Sequence, residues 1–112
     1  MDRDQIEKLT KDYQMLQDQL QSAAVQKEQF TELKEEYKAA LAEVEKATGK
    51  IYLSVGGIIV ESQKDAALKD IKAKQESTDM RLSIATKQYD ELVKKEQSLR
   101  TEITGALKGL KQ

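Results

Sequence analysis

The sequence predicts a mainly α protein, a long antiparallel two-helix coiled coil with one β-hairpin at the bend. Three observations carry that expectation. Apolar residues recur at alternating steps of three and four through both halves of the chain, the pattern of a heptad seam. The 112 residues contain no proline, as long uninterrupted helices require. Midway, in a chain that is 35% Asp, Glu, Lys and Arg, the ten residues between Lys50 and Glu61 carry no charge at all.

The first seam runs through Ile6, Leu9, Tyr13, Leu16, Leu20, Ala23, Lys27 and Phe30, then Leu33, Tyr37, Ala40, Val44 and Ala47. The step of three from Phe30 to Leu33, where four is due, reads as a stammer that overwinds the coil locally. A first helix is expected over residues 5–47. Asp4 with Glu7 is the expected capping box at its start, and Gly49 the expected C-cap glycine at its end.

The second seam runs through Leu68, Ile71, Gln75, Thr78, Leu82, Ala85, Tyr89, Leu92, Glu96, Leu99, Ile103, Ala106 and Leu110. It predicts a second helix over residues 63–110, with Ser62 and Asp65 as a less ideal capping box. Gln75, Thr78 and Glu96 interrupt the seam and are read as setting register at a cost in stability. At 1.5 Å per residue the helices are roughly 65 and 70 Å long, and matched lengths joined by a short connector fold back antiparallel. Facing residue numbers then sum to about 113, which sets Leu20 against Leu92 and Val44 against Leu68.

The uncharged segment reads as a β-hairpin over residues 51–61. Ile51, Leu53 and Val55 point to one face, Gly56-Gly57 allows the positive φ angles of a tight turn, and Ile58, Ile59 and Val60 return. A lone two-stranded hairpin is marginal in water, and this one leaves its edges and several large side chains uncovered. Ile51, Tyr52, Leu53, Val55, Gly56, Gly57, Ile58, Ile59 and Val60 are therefore expected to form an assembly site, completed by other chains.

Composition narrows the function. One domain over residues 1–112, with one Phe and no Trp, has little material for the core of a compact enzyme, so no catalytic activity is expected. Lys and Arg number 19 against 20 Asp and Glu, which gives no net field for nucleic acid or an anionic membrane. No apolar run approaches the ~18 residues of a transmembrane helix, and the acidic start is wrong for a secretory signal. With zero Cys, the expectation is cytoplasmic. Zero His removes the commonest general base and metal ligand, and neither metal nor cofactor is expected. Glu35-Glu36 and Asp90-Glu91 are adjacent pairs that diverge on a helix, a solvated face and not an acid/base dyad. Thr48-Gly49-Lys50 lacks the upstream glycine and strand of a phosphate loop.

Ile51-Tyr52, Val55-Gly56 and Ile58-Ile59-Val60, together with the run from Tyr13-Gln14-Met15-Leu16 through Ala24-Val25-Gln26-Lys27, are similar to the strand–turn–strand segment and first helix of prefoldin β-type subunits. The resemblance covers nearly the whole chain. It departs at Gly57, where relatives often carry Pro, Thr or Asn, and in the lack of a polar tail after Gln112. It implies a hexamer of two α-type and four β-type subunits whose hairpins join into β-barrels. It further implies an ATP-independent holdase that binds non-native polypeptides at the coiled-coil tips and delivers them to a group II chaperonin.

Under that fold both termini gather at the end opposite the hairpin, which makes Met1, Ile6, Leu9, Tyr13, Ile103, Ala106, Leu107 and Leu110 the expected substrate-binding tip. Gly105 and Gly109 each cost the helix about 1 kcal/mol relative to Ala and favour fraying there. Ile6, Leu9, Tyr13 and Ile103 are expected to pack the seam at rest, and Leu107, Leu110 and Met1 to meet substrate. The competing reading from another class is a structural coiled-coil adaptor that tethers partners through its helix faces.

Overall fold

The computed structural model describes residues 2–111, and side chains up to Gly109. The order of elements is α1 (Arg3–Lys46), β1 (Ile51–Val55), β2 (Ile58–Ser62) and α2 (Lys64–Lys111). The helices are 44 and 48 residues long. The chain divides into two units to which both helices contribute, one of Met1–Glu28 with Ile84–Gln112 and one of Gln29–Ser83.

In the first unit, the residues of α1 shielded from solvent are Ile6, Leu9, Tyr13, Leu16, Leu20, Ala23 and Lys27, and the rest of its described side chains there are exposed. These are the seam positions. Leu16 is buried, and so is Ala85 on α2. The segments run antiparallel. Tyr13 bonds Glu96 at 2.8 Å, and the Lys27 ammonium lies 4.9 Å from the centroid of the Tyr89 ring. That contact explains how a lysine can occupy a seam position, since the ring face attracts the cation while the aliphatic stem packs. Val93 and Thr86 are half-buried beside the seam.

In the second unit, Phe30, Leu33, Tyr37, Ala40, Leu41, Val44 and Ala47 are half-buried on one side, and Ala67, Ile71 and Thr78 are buried on the other. Phe30 and Leu33 are both half-buried although they stand only three positions apart, as the stammer requires. Ala67 has no solvent exposure, yet it precedes the seam as read from periodicity, which begins at Leu68. Lys34 and Asp79 approach to 3.7 Å across the pair.

The helix ends differ from expectation in three places. Asp2, not Asp4, caps α1: the Asp2 N–H donates to Gln5 Oε1 at 3.0 Å and the Gln5 N–H donates to Asp2 Oδ1 at 2.8 Å. This is the reciprocal capping box, shifted two residues toward the N-terminus with glutamine in place of glutamate. Ser62 does not cap α2. It is held in the ladder opposite Ile51, and the first helical bond runs from the Ala67 N–H to the Gln63 carbonyl at 2.9 Å. Gly49 is not a left-handed cap, because among the described residues the positive φ angles belong to Gly56 and Gly57. The α1 carbonyls are instead met from the other helix, where the Lys64 ammonium donates to Glu45 O at 2.8 Å and Ala47 O at 3.2 Å. A cation at that position also suits the negative end of the α1 dipole.

Candidate functional site

The hairpin is positioned by these two helix ends. Its strands pair antiparallel with Ile51 opposite Ser62, Leu53 opposite Val60 and Val55 opposite Ile58, and Tyr52 opposite Glu61 and Ser54 opposite Ile59 between them. Gly56 and Gly57 make the turn at φ values of 56° and 86°. Positive φ at both central residues is the type I′ geometry that matches strand twist, so Gly57 fits the turn as it stands.

Because cross-strand partners share a face, this register sorts the side chains into two sets. Ile51, Leu53, Val55, Ile58 and Val60 form one face, apolar except for Ser62. Tyr52, Ser54, Ile59 and Glu61 form the other, which is mixed. Ile51 is buried and Leu53 half-buried, whereas Val55, Ile58 and Val60 are open to solvent. Tyr52 and Ile59 are exposed as well. Two strands thus present five large apolar side chains, three on one face and two on the other, that stay exposed among the described residues. The run of apolar residues from 51 to 60 gave the segment away, but only the register shows which face each residue occupies.

The chain termini make the second candidate surface. Ile6, Leu9, Tyr13, Ile103 and Ala106 are all half-buried, and Leu107 is exposed. Met1 and the side chain of Leu110 lie outside the described residues. At the inner limit of this region a polar network crosses the seam. The Tyr13 hydroxyl donates to Glu96 Oε1 at 2.8 Å and accepts from Gln17 Nε2 at 2.8 Å, and Arg100 Nε lies 3.5 Å from the same Glu96 oxygen. Glu96 is one of the three polar residues, with Gln75 and Thr78, that interrupt the seam in the sequence. Gln17 and Arg100 were not picked out from the sequence, although each stands four residues from its partner, the spacing at which helical side chains meet.

Open grooves flank the seam in this unit. The larger, about 580 Å³, has Leu20, Ala24, Tyr89 and Val93 among its walls, and one of about 360 Å³ lies against Ala23 and Leu92. Among the described residues, no group of three or more His, Cys, Asp or Glu is placed to hold a metal ion. No described helix is long and apolar enough to cross a membrane.

A pair of long helices that carries an incomplete, uncovered β-hairpin between them defines a coiled-coil subunit of a larger assembly. The family model for prefoldin subunits matches residues 7–109. The chain is 35% identical to the prefoldin subunit beta of Pyrobaculum neutrophilum, over 93% of this chain and 86% of that one. It is 33% identical to the prefoldin subunit beta of Pyrococcus furiosus, over 93% of this chain and 91% of that one. The crystal structure of the prefoldin beta subunit from Thermococcus strain KS-1 superposes with a TM-score of 0.84 at 31% identity, covering 92% of each chain. The chain belongs to the prefoldin family of chaperone subunits, as a member of its β type.

Proposed function

We propose that the chain is the β-type subunit of an ATP-independent holdase that works in the cytoplasm, with separate parts for assembly and for capture. The hairpin joins those of α-type subunits and other β-type copies in an α2β4 hexamer, closing a β-barrel around side chains that one chain leaves open. The termini take hold of non-native polypeptide, through Leu107, Leu110 and Met1 first, and through Ile6, Leu9, Tyr13, Ile103 and Ala106 where the helix ends part. The complex then passes its client to a group II chaperonin. Catalysis has no place in this cycle. The observation that carries the reading is the uncovered apolar hairpin, because unpaired edges and five exposed large side chains are what a strand-completing partner would bury.

Removal of residues 106–112 tests the division of labour. The truncated chain should assemble with α-type subunits as the full chain does, because the hairpin belongs to the other unit. It should lose much of its suppression of aggregation of a denatured protein. Each leucine removed is worth about 1.5–3 kcal/mol when fully buried against a client, and several ends acting on one client multiply the loss. Unchanged suppression by an intact hexamer would move capture to the coiled-coil flanks or the α-type subunits. A chain that stays a monomer or dimer in the presence of α-type subunits would instead favour the adaptor.

A further inference from the structure

The two flanks of the seam in the first unit differ in character. The groove of about 580 Å³ brings Gln17 and Ala24 of α1 together with Val93 of α2, and the groove of about 360 Å³ brings Gln19 together with Gln88 and Lys95. Carried along the heptads, the first flank takes in Thr10, Thr86, Arg100 and Leu107, and the second Asp12, Gln26 and Glu102. Flanking positions of a coiled coil ordinarily carry charges of both signs, as the second flank does. The first has only Arg100, whose Nε lies 3.5 Å from Glu96 Oε1 and is taken up there. The next rank outward on this flank is Gln14, Gln21 and Glu28 on α1 and Asp90, Gln97 and Thr104 on α2, again without Lys or Arg.

The result is an apolar floor with acidic walls. Leu20, Ala24, Tyr89 and Val93 supply the floor of the larger groove, and its charged walls are the carboxylates Asp18 and Glu96, with no Lys or Arg beside them. Asp18 is exposed and makes no ion pair among the described residues. Against Asp18, Glu28, Asp90 and Glu96 on this flank stand Arg100 and the seam residue Lys27, whose ammonium lies 4.9 Å from the centroid of the Tyr89 ring, so carboxylates outnumber cations. Toward the chain end the same flank reaches Leu107, which is exposed, roughly 27 Å from Tyr89 at 1.5 Å per residue.

We propose that this flank of the closed coil is a binding track for cationic amphipathic segments of non-native polypeptide, whose apolar side chains cover Ala24, Tyr89 and Val93 while their lysines or arginines approach Asp18 and the carboxylates around it. The occupant follows from the chemistry. An apolar floor gives a purely polar ligand nothing to bury, acidic walls repel an anionic one, and an open groove suits a length of chain better than an enclosed small molecule. Continuity with Leu107 lets the same segment run on toward the chain ends. The inference rests on the chain being a holdase subunit. It adds a contact surface that needs no separation of the helices, and the charge class of the segment that surface selects.

Paired fluorescent peptides, titrated with the assembled complex, test it. Both carry the same apolar residues, one with lysine and the other with glutamate at the positions between. At low ionic strength the lysine peptide should bind about tenfold or more tightly, and the preference should shrink as salt is raised. Asp18→Asn should reduce that preference about threefold. Gln88→Lys changes the net charge by the same amount but in the groove of the other flank, and should leave the preference within a factor of about 1.5. Equal binding of the two peptides would overturn the proposal. So would an equal response to Asp18→Asn and Gln88→Lys, because it would assign the preference to net charge and not to the groove. A complex that fails to suppress aggregation of a denatured protein would overturn the holdase reading, and this inference with it. Suppression without a preference for the lysine peptide would overturn the inference alone.

Discussion

Aspartate at Val55 isolates what the hairpin contributes to assembly. The exposures of Tyr52, Val55, Ile58, Ile59 and Val60 are 56%, 60%, 67%, 72% and 43%, so on average roughly three-fifths of a residue remains to be covered. Full burial of such a side chain is worth about 1.5–3 kcal/mol, which leaves the five together about 5–9 kcal/mol per chain. Val55→Asp forfeits one share of that and adds the several kcal/mol needed to enclose a carboxylate without a partner. A total of at least about 4 kcal/mol weakens assembly about a thousandfold. In the free chain the side chain is exposed beside the turn, and the change costs under about 1 kcal/mol of strand propensity. Sedimentation velocity with α-type subunits should therefore show the variant as a dissociated, fully helical chain by circular dichroism. Ile59→Asp provides the comparison: it lies on the mixed face with Ser54 and Glu61 and should weaken assembly less. Unchanged assembly of the Val55 variant would refute the barrel, and a dissociated variant without helical signal would mean that the hairpin holds up the fold instead.

Three further outcomes follow from the second unit. Lys64→Met leaves the Glu45 and Ala47 carbonyls without their ammonium and should destabilise the chain by about 0.5–1 kcal/mol, with faster hydrogen exchange confined to the last turn of α1 and the first of α2. Ala67→Leu should cost about 1–3 kcal/mol in thermal unfolding because the site has no free surface, whereas Ala66→Leu, one residue away and exposed, should fall within about 0.5 kcal/mol of the parent. Lys74 has its pKa raised above the ordinary 10.5, first by its hydrogen bond to Asp70 and then by that carboxylate's charge, with the two atoms 3.0 Å apart. A raised lysine pKa stabilises the fold at all pH values below the unfolded pKa, and the contribution disappears as pH climbs through the folded one. Helicity should thus show no pH dependence from Lys74 near neutrality, where its contribution is fully present, and Asp70→Asn should move the lysine's titration, followed by NMR, back down toward 10.5.

Periodicity by itself determined the helices and the seam, because burial in a two-helix coil repeats along one stripe and each inward position is visible as an apolar residue at the right spacing. Ile6 through Lys27 can be read off one by one, and so can the stammer at Phe30 and Leu33. The hairpin was equally legible, since ten uncharged residues around Gly-Gly have few other uses in so polar a chain. What periodicity could not supply were contacts whose partners are distant in sequence or free to choose among neighbours. Several residues near each helix end can cap it, and Asp2 prevailed over Asp4 because Gln5 answers it. Lys64 reads as one more surface lysine until α2 brings it to the carbonyls of α1. Ala67 reads as one more alanine, and only the folded chain shows it fully enclosed. Glu96 was an interruption of the seam in the sequence. Only the folded pair decides that Tyr13, 83 residues away, turns its hydroxyl to meet it, because a hydrogen bond depends on distance and direction that no linear spacing records.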